Sequence, residues 1–330
     1  MRTWTVPAWG ALTCTSTPAA DPGPGQVRLR MRAASLNYRD LLMWRGQYDR
    51  RVLPYVPLSD GCGVVDAVGP DVRSVRVGDR VVATFSPTWH SGPPDRDAVR
   101  LTRGGPIDGV LSDAIVLGAD EVVAVPDHLS DAEAATLPCA GLTAWSALQL
   151  SGVTAGQTVL TLGTGGVSLF AVQLAGVLGA RVVATTSSAD KADRLRALGA
   201  AHVIDYTLVP EWGKAARRYA GDGVHAVVEV GGAGTLQQSL KAVRVGGAVA
   251  LIGVLDGGQA PVDVLPVLMR QIRIQGVFVG SRDGLVALCQ AVEVAQLKPV
   301  VDRVFPVAEV DAAFGWFAAR KHVGKVCLTW

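Results

Sequence analysis

Cysteine is scarce in this sequence and follows no pattern. The five cysteines are an odd number, are widely scattered and contain no C-x-x-C pair, which argues against a disulfide framework and against a structural zinc knuckle. The opening stretch MRTWTVPAWGALTCTSTP lacks the apolar run of a signal peptide. We therefore expect a reducing compartment and a cytoplasmic protein.

Long runs of a single residue class are also absent. No apolar stretch reaches the roughly 18 residues that are needed to span a bilayer. The 31 basic and 29 acidic residues nearly cancel, and no run of like charge is long enough for a nucleic-acid or membrane surface. The sequence thus predicts no nucleic-acid partner and no membrane partner, and it favours a small molecule.

Apolar residues and glycine are abundant by contrast. Of the 330 residues, 49% are hydrophobic and 38 are glycine, and a chain of this length favours two domains over one. The first part of the chain has short β-branched runs separated by glycine, proline and aspartate, the pattern of a β-rich domain with antiparallel strands. Residues 86–113 are polar and rich in proline and glycine, which predicts a long functional or mobile loop.

From Ser130 onward, strands and helices alternate. The sequence SDAE is a capping box, in which Ser130 and Glu133 cap each other, and it predicts a short helix through Leu137. Alternation of this kind implies parallel strands joined by right-handed crossovers, hence a doubly wound sheet. Six apolar strands are predicted near 158–162, 181–186, 202–205, 225–230, 248–252 and 274–279. The predicted domains are 1–121, 122–296 and a C-terminal return to the first domain, 297–330.

The stretch VLTLGTGGVSLF, residues 159–170, links the first of these strands to a helix. Gly163 allows the tight turn, while Gly165 and Gly166 let backbone N–H groups approach a phosphate without a Cβ in the way. Ser168 takes the place of the usual third glycine and is small enough for close packing. Because strand, turn and helix occur in this order, we expect the turn to bind a dinucleotide.

The end of the second strand indicates which dinucleotide is bound. An NAD site places a carboxylate there, about 20 residues past the glycines, to bind the ribose 2′-hydroxyl. This chain has VVATTSSADK instead, with Ser187 at the strand end and Lys191 on the next helix. Hydroxyl groups and a lysine suit a 2′-phosphate, which a carboxylate would repel. The pattern favours NADPH over NADH.

Several stretches, in order along almost the whole chain, resemble the medium-chain dehydrogenase/reductases. They are ASLNYRDLL, PLSDGCGVVDAVGPDVRSVRVGDRVV, ATLPCAGLTAWSAL, GTGGVSLFAVQLAGVLGARVVATTSS and IGVLDGG. The likeness is strongest to the zinc-free, quinone-oxidoreductase-like branch, which includes proteins labelled alcohol dehydrogenase. It implies an α/β fold: a GroES-like β-rich catalytic domain and a Rossmann domain with a doubly wound, parallel six-stranded sheet.

The resemblance also allows the catalytic zinc site of the metal-dependent branch to be checked position by position. Asn37 stands where that branch has its first cysteine, and Ser59 and Asp60 stand where it has a His-Glu pair. Cys139, four residues before Thr143, is the one matching ligand. Zinc needs three protein ligands, and the 86–113 segment has no cysteine for a structural metal either. We expect no metal site and no zinc.

For the cofactor, the resemblance implies a set of contact residues in the second domain. Tyr206 follows Asp205, where the family usually has asparagine, so a negative charge lies beside the expected 2′-phosphate contact. The implied cofactor-binding residues are Thr143, Gly163, Thr164, Gly165, Gly166, Val167, Ser187, Lys191, Tyr206, Gly253 and Val254.

For the substrate, the resemblance implies a cleft between the two domains. Tyr38 is either a hydrogen-bond and proton donor to a carbonyl oxygen or packing under the cofactor. Asn37 either orients the substrate oxygen or closes a local turn, and Asp40 fits a turn-holding role better than proton chemistry. Cys139 reads as a small filler, and His90, beside Trp89, as a solvated loop residue or an acid–base group. The candidate catalytic residues are Asn37, Tyr38, Asp40, Ser59 and Asp60.

Metal-free chemistry narrows the expected reaction. Without a Lewis acid an unactivated alcohol is hard to deprotonate, whereas a quinone or enone accepts hydride more readily because its negative charge delocalises. We therefore expect NADPH-dependent reduction of a small conjugated carbonyl compound. A zinc-independent alcohol dehydrogenase or ketone reductase is the first alternative, and an NADPH-binding redox sensor with little catalysis is the second. A β-rich apolar edge at 272–281 also predicts a homodimer.

Overall fold

A computed structural model describes residues 1–48 and 53–330. Packing divides the chain into two compact units, a first unit of residues 1–142 with 279–330 and a second unit of residues 143–278. The domain boundaries predicted from the sequence stay a prediction. Within the described residues, every helix is too short or too polar to span a lipid bilayer.

The strands follow one another along the chain as β1 Arg2–Thr5, β2 Thr13–Ser16, β3 Gln26–Ser35, β4 Asp60–Val68, β5 Arg80–Ala83, β6 Ala114–Gly118, β7 Val122–Ala124, β8 Thr158–Leu162, β9 Arg181–Thr186, β10 His202–Asp205, β11 Val224–Glu229, β12 Val243–Leu251, β13 Arg273–Gly276, β14 Val301–Pro306 and β15 Lys325–Thr329.

The helices are α1 Tyr38–Trp44, α2 Arg96–Arg100, α3 Asp131–Ala134, α4 Leu142–Leu150, α5 Gly166–Val177, α6 Ala189–Ala197, α7 Trp212–Tyr219, α8 Ala233–Ala242, α9 Leu265–Met269, α10 Arg282–Val294 and α11 Val310–Ala318. A π-helical turn spans Leu137–Gly141, and a 3₁₀ turn spans Val307–Glu309.

The first unit is built on a mixed seven-stranded sheet in the order β14-β15-β3-β4-β5-β7, with β6 also paired to β3. Strand β3 alternates buried and exposed residues along its first half, so that Leu29 and Met31 enter the core. The same core contains Phe314 and Phe317 of α11 and Val326 of β15. The C-terminal segment therefore completes the hydrophobic core of the N-terminal domain.

The second unit is a parallel six-stranded sheet in the order β10-β9-β8-β11-β12-β13, with helices between the strands. Strand β8 is buried at all five positions, as expected for a parallel strand that is covered by helices on both faces. All six predicted strands are present, and the α/β fold class is confirmed. The last strand is shorter than predicted and ends at Gly276.

Two local predictions need correction. The capping box at Ser130 and Glu133 is present, but α3 ends at Ala134 rather than at Leu137. The chain continues as a π-helical turn through Pro138, which has no N–H to donate to a regular α-helix. The 86–113 segment is not an open loop, because it contains α2 and buries residues such as Arg103.

Candidate functional site

Sheet pairing brings three distant parts of the chain together at the end of β3. Ser35, the last residue of β3, is opposite Asp60 at the start of β4 and opposite Cys327 of β15 on its other side. Asn37 follows two residues later as the N-cap of α1. The register therefore places Asp60, Asn37 and Lys325 beside one another within the first unit.

These residues form one directed chain of hydrogen bonds. The Lys325 Nζ donates to Asn37 Oδ1 at 2.5 Å, and Asn37 Nδ2 donates to Ser59 Oγ at 3.4 Å. Ser59 Oγ donates to Asp60 Oδ1 at 2.7 Å, and the backbone N–H of Cys139 donates to Asp60 Oδ2 at 3.1 Å. We call Asn37, Ser59, Asp60 and Lys325 the buried polar chain; it runs from a cation to a carboxylate with every dipole aligned, an arrangement that strengthens each bond.

A second carboxylate, Asp40, holds the start of α1. Its Oδ2 accepts the backbone N–H of Asn37 at 2.8 Å, and its Oδ1 accepts from Arg39 at 3.3 Å. Arg39 is itself buried, donates to Thr102 and to the carbonyl oxygens of Arg103 and Gly105, and stacks on the Phe85 ring. Asp40 is therefore placed to hold the turn that begins α1, and it is buried.

Burial governs the ionisation of these groups. Asp60 is fully buried, and burial raises its pKa to about 6, while the nearby Lys325 ammonium opposes the rise. Burial also raises the pKa of Asp40, against the effect of the Arg39 guanidinium. The Cys139 thiol has its pKa raised by burial and by Asp60, so it stays protonated and unreactive at neutral pH.

The backbone before Ser59 is strained. Leu58 has φ +70, in the left-handed region that branched side chains rarely adopt. Its carbonyl accepts the N–H of Val110 at 2.9 Å, and a Cβ built on Gly104 or Gly109 would lie within 3 Å of Leu58 backbone atoms. The surrounding backbone thus fixes the direction in which Ser59 and Asp60 project. A strained backbone conformation persists only where neighbouring structure holds it in this way.

Tyr38 lies beside the buried polar chain at the first position of α1 and is half-buried. Its hydroxyl oxygen accepts a hydrogen bond from Arg320 at 3.0 Å, and the Arg320 guanidinium also stacks over the ring at 5.4 Å. Because the oxygen accepts from Arg320, the phenolic hydrogen remains free to donate elsewhere.

Other predicted residues of the first unit lie apart from this group. The exposed His90 faces Asp120, 3.8 Å away, and Trp89 donates to the carbonyl of Gly92. Thr143 is buried in the first turn of α4, where the second unit begins. The structure therefore unites Asn37, Tyr38, Asp40, Ser59 and Asp60, but it does not bring His90 into their hydrogen-bond network.

The donor set of the buried polar chain does not fit zinc. The oxygen of Asn37 is bound to an ammonium group, and both oxygens of Asp60 already accept hydrogen bonds, which leaves Cys139 as a single thiol. A zinc site needs three protein ligands. Across residues 1–48 and 53–330, no group of three or more His, Cys, Asp or Glu side chains is arranged to hold a metal ion.

In the second unit, the glycine turn has the geometry of an anion site. Gly163 has φ +73 and its N–H bonds to the carbonyl of Thr185 at the end of β9. Gly165 is the N-cap of α5, and a Cβ on Gly163 or Gly165 would meet no atom within 4 Å. Open space thus lies at the N-terminus of a 12-residue helix, where a phosphate binds favourably. Ser168 fastens helix to strand by donating to the Leu162 carbonyl at 2.6 Å.

The remaining residues of the turn complete this surface. Thr164 is buried between the two glycines, and Gly166 and Val167 form the first turn of α5. The backbone N–H groups in the first turn of a helix have no acceptor within the helix, so those of Gly166 and Val167 need a partner outside it. A phosphate group would supply that partner, since a Cβ on Gly163 or Gly165 would meet no protein atom within 4 Å.

The ends of β9 and β10 are adjacent, with Thr186 paired to Asp205. Ser187 is exposed, and Lys191 is half-exposed in the first turn of α6. Tyr206 is 43% exposed. The Asp205 carboxylate accepts from the N–H and hydroxyl of Thr207, at 2.9 and 2.6 Å, and these bonds lower its pKa. Hydroxyl and ammonium groups therefore surround the place expected for a 2′-phosphate.

The ends of β11 and β12 form a further part of the candidate cofactor site. Gly253 permits a close approach, since a Cβ there would lie 2.2 Å from the carbonyl oxygen of Val230. Val254 is exposed and, with Leu236 and Leu251, lines a cavity of about 590 Å³. The cavity lies at the carboxyl ends of two parallel strands, the edge at which open α/β sheets bind their ligands.

Sequence reasoning missed several functional residues. Glu229, at the end of β11, is fully buried and accepts from Gly231, Gly232, Thr235 and Ser239, which shapes the loop after the strand. A lone carboxylate ending an apolar strand, as in VVEVGG, was the available signal. Lys325 in GKVCLTW gave a similar signal, a single charge among apolar strand residues. Arg39 and Arg320 gave no such signal, because an arginine in a sequence is most often an exposed residue.

Comparison with known proteins extends over the whole chain. The family model for the alcohol dehydrogenase GroES-like domain matches residues 23–127, and the model for the zinc-binding dehydrogenase matches residues 166–293. A zinc-type alcohol dehydrogenase-like protein of Schizosaccharomyces pombe is 41% identical over 314 residues, which is 92% of this chain and 91% of the relative. An acryloyl-coenzyme A reductase of Metallosphaera sedula is 29% identical, with 93% of each chain covered.

Solved structures agree with these relatives. A Sinorhizobium meliloti protein classed as an alcohol dehydrogenase superposes with a TM-score of 0.93 at 40% identity, covering 100% of this chain and 98% of its own. An NAD-dependent alcohol dehydrogenase gives a TM-score of 0.91 at 35% identity, with both chains fully covered. A mycobacterial protein in complex with NADPH gives 0.83 at 30% identity, again with both chains fully covered. The chain belongs to the medium-chain dehydrogenase/reductase superfamily and is an oxidoreductase of that type.

Proposed function

We propose that this oxidoreductase uses NADPH to reduce a small conjugated carbonyl compound, an enone or a quinone, without a metal ion. The observation that carries the proposal is the buried polar chain, in which Asn37 Nδ2 is a neutral hydrogen-bond donor rather than a metal ligand. Neutral donors suit an oxygen whose negative charge is already spread over a conjugated system. An isolated alkoxide needs stronger stabilisation.

The reaction requires two electrons and two hydrogens. Bound NADPH supplies a hydride. For an enone, that hydride adds to the β-carbon, the π electrons move to the carbonyl oxygen, and a proton completes the α-carbon. Asn37 Nδ2 and the Tyr38 hydroxyl are the proposed donors to the oxygen, and Tyr38 or solvent supplies the proton. Arg320 donates to the Tyr38 oxygen and so holds the hydroxyl in position, with its hydrogen left to donate to the substrate.

The preference for NADPH rests on Ser187 and Lys191 beyond β9 and on the absence of a carboxylate at the end of that strand. The Asp205 carboxylate opposes this preference, because its hydrogen bonds from Thr207 lower its pKa and keep it ionised. The similar mycobacterial protein binds NADPH. The NAD-dependent relative at 35% identity makes NADH the alternative that a direct comparison of the two cofactors must address.

The similar acryloyl-coenzyme A reductase supports the substrate class, because its name describes reduction of a carbon–carbon double bond conjugated to a carbonyl group. A zinc-independent alcohol dehydrogenase or ketone reductase is a second candidate, favoured by the relatives that are named for alcohol oxidation. The two differ in the atom that receives hydride, a carbon of the conjugated system in one case and a carbonyl carbon in the other.

An anaerobic assay on metal-depleted protein separates these functions. The purified protein is given NADPH with an enone, a quinone or a simple ketone, and NADP⁺ with a secondary alcohol. Turnover of the enone or quinone that survives chelation is the expected result. Turnover confined to the alcohol and ketone, or activity that returns only on adding zinc, would overturn the proposal.

We also propose a homodimer formed through the β13 edge. Strand β13 is exposed at all four positions and is the last strand of its sheet. Nearby side chains, including Leu268 and Met269 at 74% and 70% exposure, are apolar. Pairing of two such edges would remove an aggregation-prone surface. Sedimentation of the wild type and of Ile274→Lys, which places a charge on that edge, tests it; a monomeric wild type would refute it.

A cytoplasmic location is proposed on the cysteine pattern. All five cysteines are free, and the described structure pairs none of them in a disulfide, as is usual in a reducing compartment.

A further inference from the structure

Lys325 is a buried, charged residue to which the proposed reaction assigns no role. The side chain lies in β15, is 3% exposed, and donates to the Leu36 carbonyl at 2.6 Å and to Asn37 Oδ1 at 2.5 Å. An ammonium group that is removed from water is destabilising unless it is paired and hydrogen-bonded. Such a residue is retained where its charge or its donors are needed.

The two ends of the buried polar chain determine the orientation of Asn37. An ammonium group can only donate, so the Asn37 atom facing Lys325 must be the amide oxygen. At the other end, the Asp60 carboxylate accepts from Ser59, which leaves the Ser59 oxygen to accept from Asn37 Nδ2. The amide of an asparagine can ordinarily be turned over at little cost. Here only one of its two orientations satisfies both neighbours.

This orientation matters for chemistry because the Asn37 amide nitrogen carries two hydrogens. Nδ2 is 3.4 Å from Ser59 Oγ and also hydrogen-bonds on that side to the Asp60 carboxylate, and our proposal assigns its other hydrogen to the substrate oxygen. Asn37 is 7% exposed, so a small part of the residue reaches the surface of the first unit. An amide in the reverse orientation would present an oxygen there, and an oxygen repels a substrate that is gaining negative charge.

We propose that Lys325 is a positioning residue, which holds the Asn37 amide with Nδ2 as the donor to the substrate oxygen. The inference rests on the proposed function for its catalytic part, but the orientation of Asn37 is a property of the free protein. Lys325 itself stays behind Asn37, bonded to the Leu36 carbonyl. It acts on the reaction through the amide.

A double-mutant cycle tests this role. Removing the oxyanion donor in Asn37→Ala is expected to lower kcat by about 100-fold. Lys325→Met, of similar length but without charge, is expected to lower kcat by about 10-fold to 100-fold, since a hydrogen bond to a charged group contributes that much. In the Asn37→Ala background, the same Lys325→Met change should alter kcat by less than about twofold. The NADPH dissociation constant should not change in any variant.

The cycle separates positioning from a general structural role. A structural role would lower kcat by the same factor in both backgrounds, and that result would overturn the inference. Thr329→Val, a change in the same strand outside the buried polar chain, is the matched control and should leave kcat unchanged. If Lys325→Met does not fold, Lys325→Gln keeps an N–H donor toward Asn37 and should retain more activity than Lys325→Ala; equal loss in both would count against the proposal.

A measurement on the protein without substrate separates this inference from the proposed function. The Asn37 side-chain amide signals in a ¹⁵N correlation spectrum are identified by their loss in Asn37→Ala. They should shift or exchange faster in Lys325→Met but not in Thr329→Val. Unchanged signals would refute the orientation argument even in an active enzyme. Failure of the wild type to reduce any acceptor would refute the proposed function and leave this result to stand on its own.

Discussion

The two units, which we call the two halves of the molecule, contain candidate binding residues that are arranged on opposite principles. In the second unit, the turn after β8 consists of backbone, with glycines whose absent side chains leave open space at the start of α5. In the first unit, the buried polar chain consists of side chains, closed off from water, with a cation at one end and a carboxylate at the other. One is an open cradle and the other a rigid network.

In the proposed reaction the two halves recognise different groups. The pyrophosphate is common to NADPH and NADH, and backbone N–H groups suffice to bind it. A reacting oxygen demands a donor at one defined place, since misplacement of a catalytic group by about 1 Å can cost 100-fold in rate. Rigidity is therefore concentrated around Asn37, and the strained Leu58 backbone is a sign of how firmly that region is held.

The largest expected effect comes from filling the open cradle. Gly165 has ordinary φ and no atom within 4 Å of its would-be Cβ, so Gly165→Val should fold normally. It should nevertheless weaken NADPH binding about 100-fold, near 2.7 kcal/mol, because the side chain would occupy the phosphate position. Fluorescence titration measures the dissociation constant of NADPH in the wild type and the variant. Gly176→Val, at an equally open position later in α5, is the control, and equal affinities in the two variants would contradict the cradle.

The rigid half should respond to substitution in rate rather than in cofactor binding. Tyr38→Phe removes the hydroxyl that Arg320 supports, so kcat should fall roughly 10-fold or more through the lost donor, with an unchanged dissociation constant for NADPH. Steady-state kinetics and calorimetry together provide the readout. Tyr219→Phe, in the second unit, should have no effect on either quantity. A Tyr38→Phe enzyme with full kcat would assign that ring to packing alone.

A smaller effect should distinguish the two cofactors. Lys191→Ala should raise the dissociation constant of NADPH by about 10-fold, since one partly exposed charge contact to a phosphate contributes on the order of 1 kcal/mol. Binding of NADH, which has no 2′-phosphate, should be unaffected. Arg194→Ala, one turn further along α6, serves as the control. If NADPH and NADH both bind more weakly by the same factor, Lys191 attracts the negative charge that the two cofactors share, and the preference for NADPH comes from other residues.

A further effect concerns stability rather than binding or rate, and is a pH dependence that comes from the first unit. Burial raises the Asp60 pKa to about 6, above the value of about 3.9 in an unfolded chain. Between about pH 4 and pH 6 the folded state therefore binds a proton that the unfolded state does not, and stability rises as the pH falls, by at most about 1.4 kcal/mol per pH unit.

Denaturant unfolding of the wild type and Asp60→Asn measures this dependence. As the pH falls from 6 to 4, the free energy of unfolding of the wild type should increase relative to that of Asp60→Asn, because the asparagine carries no titratable group. Comparing the two proteins also cancels carboxyl groups with lowered pKa, such as Asp113 and Asp205. A difference that is flat with pH would mean that Asp60 ionises normally.

Sequence alone predicted the second unit better than the first. Strands such as β8 and β9 are short runs rich in valine, leucine and threonine that alternate with helices, and this alternation is typical of a parallel sheet. The glycine turn was readable for the same reason, since its function lies in local backbone. The end of α3 was not, because the π-helical turn at Leu137–Gly141 depends on packing that no local pattern records.

The buried polar chain could be predicted only in part. Asn37, Ser59 and Asp60 were found because they occupy places where related enzymes hold a metal. Lys325 was not, because its role arises from the antiparallel pairing of β15 with β3, and strand pairing over such a distance leaves no periodic signal in the sequence. For the same reason, the support of Tyr38 by Arg320 was visible only in three dimensions.

The separation of Asn37 and Lys325 by 288 positions has a consequence for biosynthesis. At about 5 to 20 residues per second, roughly 15 to 60 s pass between the emergence of the two residues from the ribosome. For most of that interval the nascent domain contains Asp40 and Asp60, two carboxyl groups that end in its interior, but lacks the Lys325 ammonium that lies near them in the folded protein. Closure of that region before β15 is synthesised is therefore disfavoured.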